Sequence, residues 1–318
     1  MNRPGKSLGR KSLGLWLFLS VTVFVSGSAV PPKQTLPQDA VFQLGLVLKS
    51  SREYCRRLER AALDFVCIEE VSEKIDLSRD TRQNLVTQIP TFDELSGYAS
   101  GGRGSARRLR FEDPEKVGHD NSFLFDFQFI RQEGKVTERR ILLVKNGKKA
   151  SGREEIPKTG AFQFSDVLLT PVRLLEEKTA EFYQYRLLRE DMLEGVKAWV
   201  LEVKPRMAIA DRYLGAVIWL KKDDASVLRI DWDPITFGYY VNVLARAKAY
   251  GSEPQVVSRT EFGVEKHGLR FPSFDFTEEA YTGKDGKMFV RATTKVVYKN
   301  YKFFVVETAT GGAIREVR

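Results

Sequence analysis

Apolar and polar residues alternate over most of the chain after residue 120, and short turn sequences separate the alternating runs. In 123–129 the alternation is strongest, because four phenylalanines occupy every second position. Asn146-Gly147 is a strong signal for a tight hairpin turn. Strands are therefore predicted at 64–75, 123–129, 136–144, 182–188, 197–203, 215–220, 226–232, 256–264, 269–281, 288–298 and 303–307.

The segment 39–63 follows a different spacing, in which apolar or small residues recur every three or four positions. This spacing predicts one long amphipathic helix, with Arg52, Arg56 and Arg60 on its outer side. Its inward stripe comprises Val41, Leu44, Leu48, Ser51, Cys55, Leu58 and Ala62, and continues to Phe65. Shorter helices are predicted at 162–175, with an interruption at Pro171, and at 239–250.

Short hairpin connections between successive strands indicate an antiparallel meander, whereas a doubly wound sheet needs regular strand–helix–strand alternation. We therefore expect an α+β fold, with a single curved antiparallel sheet of roughly ten strands. The N-terminal helix and the short inserted helices would cap it, and a β-sandwich is the alternative. The segment 76–120 is either part of the sheet or an appended loop.

The first 29 residues have the order of a secretory signal peptide. A basic region with Arg3, Lys6, Arg10 and Lys11 precedes the uncharged apolar stretch 13–25, and small residues follow at 26–29. An uncleaved membrane anchor is the alternative, although the apolar stretch is shorter than the roughly 20 residues of a membrane span. We expect 30–318 to form one domain, in the periplasm or secreted.

The chain has a formal net charge of +9, and the leader carries four of its cations and no acidic residue. The mild positive charge that remains without the leader does not require a nucleic-acid partner. Two groups of arginines are candidates for transient contact with anionic lipid headgroups, and a solvated charged face is the alternative. They are Arg52, Arg56, Arg57 and Arg60, and Arg103, Arg107, Arg108 and Arg110.

Cys55 and Cys67 are the only cysteines. If the chain reverses near Leu63, Cys55 lies about 12 Å back along the helix and Cys67 about 13 Å along the strand. The two sulfurs would then be level on facing elements, so a disulfide is predicted between them in an oxidising compartment. Two free buried thiols are the alternative, because pairing depends on the Cβ directions.

Residue patterns of catalysis and metal binding are missing from the sequence. Both histidines, His119 and His267, fall in turns, and there is no Gly-x-Ser-x-Gly or paired Cys-x-x-Cys motif. Glu69, Glu70 and Glu73 lie on the first predicted strand, and Asp231 and Asp233 flank Trp232. We interpret these acids as a strand face and a turn rather than a glycosidase pair. No catalytic residue, metal or cofactor is expected.

The order of elements and the middle section resemble the outer-membrane lipoprotein-sorting (LolA-like) superfamily. The likeness is clearest over 182–232, with Tyr185-Arg186-Leu187-Leu188, Gly195-Val196-Lys197-Ala198-Trp199 and Val217-Ile218-Trp219-Leu220-Lys221-Lys222-Asp223. The resemblance implies a half-open β-barrel whose concave face is capped by helices. Members use that hollow for acyl chains or as a scaffold for protein contacts. This chain differs from the carriers in its greater length, its cysteine pair and the segment 76–120.

In such a half-open barrel, the aromatic strand faces would line an apolar cavity. The residues predicted to line it are Phe123, Phe125, Phe127, Phe129, Tyr183, Tyr185, Trp199 and Leu201. An ordinary filled core is the alternative for each of them. Collectively, however, a half-open barrel cannot fill its mouth with its own side chains, so apolar surface would remain for a ligand.

These observations favour a non-enzymatic periplasmic binding or carrier protein that serves outer-membrane biogenesis and transport. Its partners would be lipid or lipoprotein acyl chains, with transient contact to a membrane surface. The alternative is an envelope protein-interaction or stress-sensing module on the same scaffold, with a protein partner. A hydrolase acting on envelope polymers is a third, more distant hypothesis.

Overall fold

The computed structural model describes residues 38–60, 63–80, 120–132, 135–155, 159, 168–207, 213–238, 240–306 and 314–317. The predicted leader 1–29, His119 and the arginines at 103–110 lie outside these described residues. The same is true of positions 162–167 of the predicted second helix and of most of the segment 76–120.

Three α-helices are described. Helix α1 spans Gln38–Arg60, α2 spans Thr170–Leu175 and α3 spans Tyr240–Tyr250. Pro171 stands in the first turn of α2, where a backbone N–H has no partner within the helix, so proline is tolerated there. Two 3₁₀ helices, Glu177–Phe182 and Pro234–Thr236, accompany them.

The strands follow the alternation of the sequence. They are β1 (Leu63–Ile75), β2 (Asp120–Gln132), β3 (Lys135–Lys145), β4 (Lys148–Lys149), β5 (Tyr183–Leu193), β6 (Val196–Pro205), β7 (Gly215–Lys221), β8 (Val227–Asp233), β9 (Glu253–Glu261), β10 (Val264–Lys266), β11 (Leu269–Phe271), β12 (Phe274–Thr282), β13 (Met288–Val306) and β14 (Ile314–Val317).

Twelve of these strands form one antiparallel sheet, in the order β4-β3-β2-β1-β13-β12-β9-β8-β7-β6-β5, with β14 paired to β13. Strands β10 and β11 form a separate hairpin. Within the described chain β4 and β5 end the strand order, so the sheet is open. The predicted single open antiparallel sheet, capped by an N-terminal helix, is therefore confirmed over the two-sheet sandwich.

Strand β1 shows how the sequence divides the two faces of the sheet. Every second residue from Phe65 to Ile75 is buried, and the residues that alternate with them, such as Val66, Ile68 and Glu70, are more exposed. The buried side, which we call the inner face, packs against α1 and α2 in one continuous hydrophobic cluster. A smaller cluster on the outer side of β6–β8 includes Val200 and Trp219.

Two predicted strand boundaries were wrong for identifiable reasons. The predicted strand 269–281 is divided into β11 and β12 at Pro272, which has no N–H to donate to a ladder. The predicted strands 288–298 and 303–307 form the single strand β13, because a bulge accommodates the residues between them. Asn300 takes a left-handed φ of 59°, and the register of β13 against β1 shifts at Val66 and Ile68.

Helix α1 has the predicted amphipathic character, and its inward stripe agrees with the prediction at Ser51, Cys55 and Leu58. Val47, Ser51, Tyr54, Cys55 and Leu58 are its buried residues. Leu44 and Leu48 are partly buried, whereas Val41, predicted to face inward, is exposed. Among the described residues, none of the helices combines the length and apolar character that crossing a membrane requires.

Candidate functional site

The inner face carries a row of aromatic side chains on β2. Phe123, Phe125, Phe127 and Phe129 are all buried there, as their alternation places them on one side of the strand. Phe65 of β1 stacks on Phe129 with the ring centroids 5.2 Å apart, and meets Phe127 edge to face at 5.9 Å. Such offset and edge-to-face pairs are favourable geometries for aromatic rings.

Strands β5 and β6 bring the other predicted lining residues to the same cluster. Tyr183 and Leu201 are buried, and Tyr185 and Trp199 are partly buried against them. The Tyr185 hydroxyl donates a hydrogen bond to the carbonyl of Leu174 in α2, at 2.9 Å. Burial raises the pKa of Tyr185 to about 12, so its hydroxyl stays protonated at neutral pH.

The structure thus brings all eight predicted lining residues into one cluster, which we call the aromatic wall. It consists of Phe123, Phe125, Phe127, Phe129, Tyr183, Tyr185, Trp199 and Leu201. Six of them are buried by the rest of the chain.

Helix α1 lies over this cluster, and polar contacts help to attach it. The backbone N–H of Arg270 in β11 donates to the hydroxyl oxygen of Tyr54, at 3.0 Å. Arg52 donates from Nε to the carbonyl of Leu175 in α2, at 3.3 Å. The cover of the inner face is therefore held by apolar packing and a few specific hydrogen bonds.

The predicted disulfide between Cys55 and Cys67 is not formed, since both residues are free buried thiols. Their environments explain this. Cys55 faces α2, where its Sγ donates to the carbonyl of Pro171 at 3.7 Å. Cys67 lies opposite Phe127 on β2 and contacts the Tyr301 side chain. Burial raises the pKa of Cys55 to about 12 and also raises the pKa of Cys67, so both thiols are poor nucleophiles.

The inner face also contains buried charges, at positions where the sequence predicts an ordinary strand face. Glu69 is fully buried and accepts two hydrogen bonds from Arg140 of β3, at 2.7 and 3.1 Å. The Arg140 guanidinium in turn lies 4.5 Å from the ring centroid of Phe127. Glu73, also buried, accepts from Asn121 at 3.2 Å and from Thr294 at 3.4 Å.

The signal for these buried acids was present in the alternation. Glu69 and Glu73 share the strand face of Phe65 and Cys67, which belong to the core. A period of two therefore puts them inside. Asp275 on β12 is buried as well, with a pKa raised to about 7 by burial and, secondarily, by the charge of Glu69.

A second buried ion-pair network joins α3 to the sheet. Arg246 of α3 donates to both carboxylate oxygens of Glu279 in β12, at 2.7 and 2.9 Å. Arg291 of β13 donates to Asp80 at 2.7 Å, and the Tyr250 hydroxyl donates to the same carboxylate. Buried charges paired in this way fix the position of an element, because leaving one of them unpaired is costly.

The remaining candidate acids and the described histidine have structural roles, in a helix cap, a side-chain hydrogen bond and a turn. Asp233 accepts the N–H of Ile235 and caps a 3₁₀ helix, and Asp231 accepts from Trp219 Nε1 at 2.8 Å on the outer side of the sheet. His267 occupies the β10–β11 turn with a left-handed φ of 51°. Within the described ranges, no three side chains of His, Cys, Asp or Glu are grouped to hold a metal ion.

In comparisons with known proteins, this chain matches solved structures only. No family profile and no curated protein matches the chain. Among solved structures, a putative outer membrane lipoprotein-sorting protein domain from Vibrio parahaemolyticus matches 84% of this chain and 94% of its own, with 12% identity and a TM-score of 0.42.

Two further structures match 80% of this chain and 92% of their own. One is a LolA superfamily protein from Nitrosomonas europaea, with 9% identity and a TM-score of 0.36. The other is a DUF1329 family protein from Desulfovibrio piger, with 13% identity and a TM-score of 0.34.

Proposed function

We propose that this protein is a non-enzymatic periplasmic carrier that holds acyl chains of lipids or lipoproteins between the aromatic wall and the covering helices. The observation that carries this proposal is the aromatic wall itself, because strands distant in sequence contribute to one continuous apolar cluster. Acyl chains bind to such surfaces through the area removed from water, at about 25 cal/mol per Å² before entropy losses.

The extent of the inner face supports an elongated apolar ligand. Eleven strands follow one another in the main order, and at about 4.8 Å per strand they span roughly 50 Å. The hydrophobic cluster follows this face from Phe123 on β2 to Ile230 on β8.

A second candidate function is a protein-interaction module in the envelope. The observation favouring it is the burial of the β2 phenylalanines, since Phe125 and Phe129 have no exposed surface and Phe123 and Phe127 only 4%. Side chains packed in this way resemble a filled core. Function would then reside on exposed strands and loops.

Native mass spectrometry of the exported protein separates the two candidates. The carrier hypothesis predicts a co-purified lipid or acylated peptide in stoichiometric amount. The module hypothesis predicts the mass of the polypeptide alone and no uptake of added fatty acid.

Tryptophan quenching by a brominated fatty acid then tests where the ligand lies. Trp199 and Trp232 are on the inner face, whereas Trp219 is on the outer face of the neighbouring strand. Trp219→Phe should retain the quenching, and the double change Trp199→Phe with Trp232→Phe should remove most of it. Equal loss in both variants, or no quenching of the wild type, would contradict binding at the aromatic wall.

A further inference from the structure

The beginning of α1 exposes apolar side chains. Val41, Phe42 and Leu46 are 55%, 69% and 50% exposed, although they belong to the helix that covers the inner face. A Cβ added at Gly45 beside them would have no atom within 4 Å. We call Val41, Phe42 and Leu46 the α1 tip. Grouped exposed apolar side chains of this kind characterise protein or membrane contact sites.

The α1 tip continues into a charged stripe along the same side of the helix. Phe42, Leu46, Lys49, Glu53, Arg56 and Arg60 follow one another at intervals of three or four residues, and all are exposed. Residues with this spacing share one helix face. Lys49 lies about 10 Å from Phe42 along the axis, and Arg56 about 21 Å.

The charge of this stripe is positive. Lys49, Arg56 and Arg60 are its exposed basic residues, against the exposed acid Glu53, and Arg57 and Glu59 are exposed beside it. Arg56 already forms an ion pair with Glu53 at 3.2 Å. The surface next to the α1 tip is therefore complementary to an anionic partner.

We propose that the outward face of α1 docks on an anionic lipid bilayer. The α1 tip enters the boundary between headgroups and acyl chains, to the depth of about 5–10 Å that is usual for interfacial helices. Lys49 and the arginines behind it lie against the lipid phosphates. This docking surface faces away from the aromatic wall, so the inference does not depend on what the inner face binds.

Vesicle flotation with the exported protein tests this proposal. Vesicles containing phosphatidylglycerol are compared with vesicles of phosphatidylcholine alone, in low and high salt. We expect binding to the anionic vesicles only, weakened in high salt because mobile ions screen the charges. If a leader is retained it is the same in every variant, so differences between variants report on α1.

Two variants and a matched control locate the contact. Phe42→Ser combined with Leu46→Ser should lower the affinity for anionic vesicles at least tenfold, and Lys49→Glu should lower it severalfold. Val257→Ser is the control, because Val257 is equally exposed at 51% but lies on β9. Thermal melting should show that all variants are folded, as the changed side chains are exposed.

The outcomes are distinct. Loss of binding in the α1 variants with full binding by the Val257 variant supports the proposal. Absence of wild-type binding to anionic vesicles, unchanged binding by the α1 variants, or an equal loss in the control overturns it. Fatty-acid binding is measured separately by tryptophan quenching, so a failure here leaves the proposed carrier function unaffected.

Discussion

At the scale of single residues, Asp275 is a buried acid whose pKa lies near neutrality. It lies on β12 between Thr260 of β9 and Val296 of β13, on the buried side of the sheet. Burial raises its pKa from 3.8 to about 7, and the charge of Glu69 adds to this effect. A hydrogen bond from the backbone of Phe276 opposes both without cancelling them.

This raised pKa predicts that Asp275 destabilises the fold as the pH rises. Between about pH 4 and 7 the folded protein holds a proton that the unfolded chain has lost, so the free energy of unfolding decreases with pH. Asp275→Asn removes the titration. We expect the variant to gain stability relative to wild type between pH 5 and 8, by up to about 4 kcal/mol.

Urea denaturation of both proteins at pH 5, 6.5 and 8 measures this difference. Glu253→Gln serves as the control, because Glu253 is an exposed acid at the start of the neighbouring strand β9. The control should follow the wild type at every pH. A constant difference between Asp275→Asn and wild type would show that Asp275 does not titrate in this window.

The buried charged residues are the part of the candidate site that could not be fully predicted from the sequence. The aromatic wall was predictable, since alternation alone puts the β2 phenylalanines on one side. The partner of Glu69 was not, because Arg140 is 71 residues away and meets it only through the register of β1, β2 and β3. Pairings between strands depend on register, which a pattern with a period of two leaves open.

At the scale of elements, three hairpins share the same tight turn. Asn146-Gly147, Glu194-Gly195 and His267-Gly268 each place two consecutive residues in the left-handed region, with φ between 48° and 83°. This is the two-residue geometry that matches the twist of hairpin strands and favours Asn or Asp before Gly. Glu194 and His267 therefore occupy positions where their side chains cause backbone strain.

Glu194→Asn is expected to stabilise the β5–β6 hairpin, because asparagine tolerates the left-handed φ of 49° better than glutamate. The gain in the free energy of unfolding should be about 0.5–1 kcal/mol. Gly195→Ala should act in the opposite direction, since φ at this position is 83°. Thermal unfolding of the two variants measures both effects, and a stabilising Gly195→Ala would contradict this account of the turn.

The same elements show why most strands were predictable and their boundaries less so. Turn residues and alternation located the hairpins between β5 and β8, where each strand pairs with its neighbour in sequence. The bulge at Asn300 was hidden, because a polar residue with a left-handed φ ends a strand in most sequences. Here β1 pairs with β13 on both sides of that bulge, so a long-range contact continues the strand.

At the scale of the whole molecule, the pairing of β1 with β13 joins two parts of the sheet. Strands β2–β4 lie on one side of this pair, and β12, β9 and β8–β5 on the other. Phe65 lies at the junction, where its ring contacts Phe129 of β2, Phe271 of β11 and Phe303 of β13. The hydrophobic cluster of the inner face continues across it, from Phe123 to Ile230.

A continuous core predicts that both parts unfold together, and the chain carries separate probes near the junction and on β6–β8. Trp199, Trp219 and Trp232 all lie on β6–β8, whereas Cys55 and Cys67 lie on α1 and β1. Both thiols are free and buried, so they should react with a thiol reagent only after unfolding. Tryptophan emission and thiol labelling should therefore give the same midpoint in denaturant.

Phe65→Ala tests whether the junction couples the two parts. Removing this buried ring should lower the free energy of unfolding by about 3–5 kcal/mol, and both probes should shift to the same new midpoint. Phe276→Ala is the matched control, because Phe276 is partly exposed on the opposite face of the sheet and should cost less. If Cys67 becomes reactive while the tryptophan signal is unchanged, the β1 side opens on its own. The inner face would then consist of two separate units rather than one.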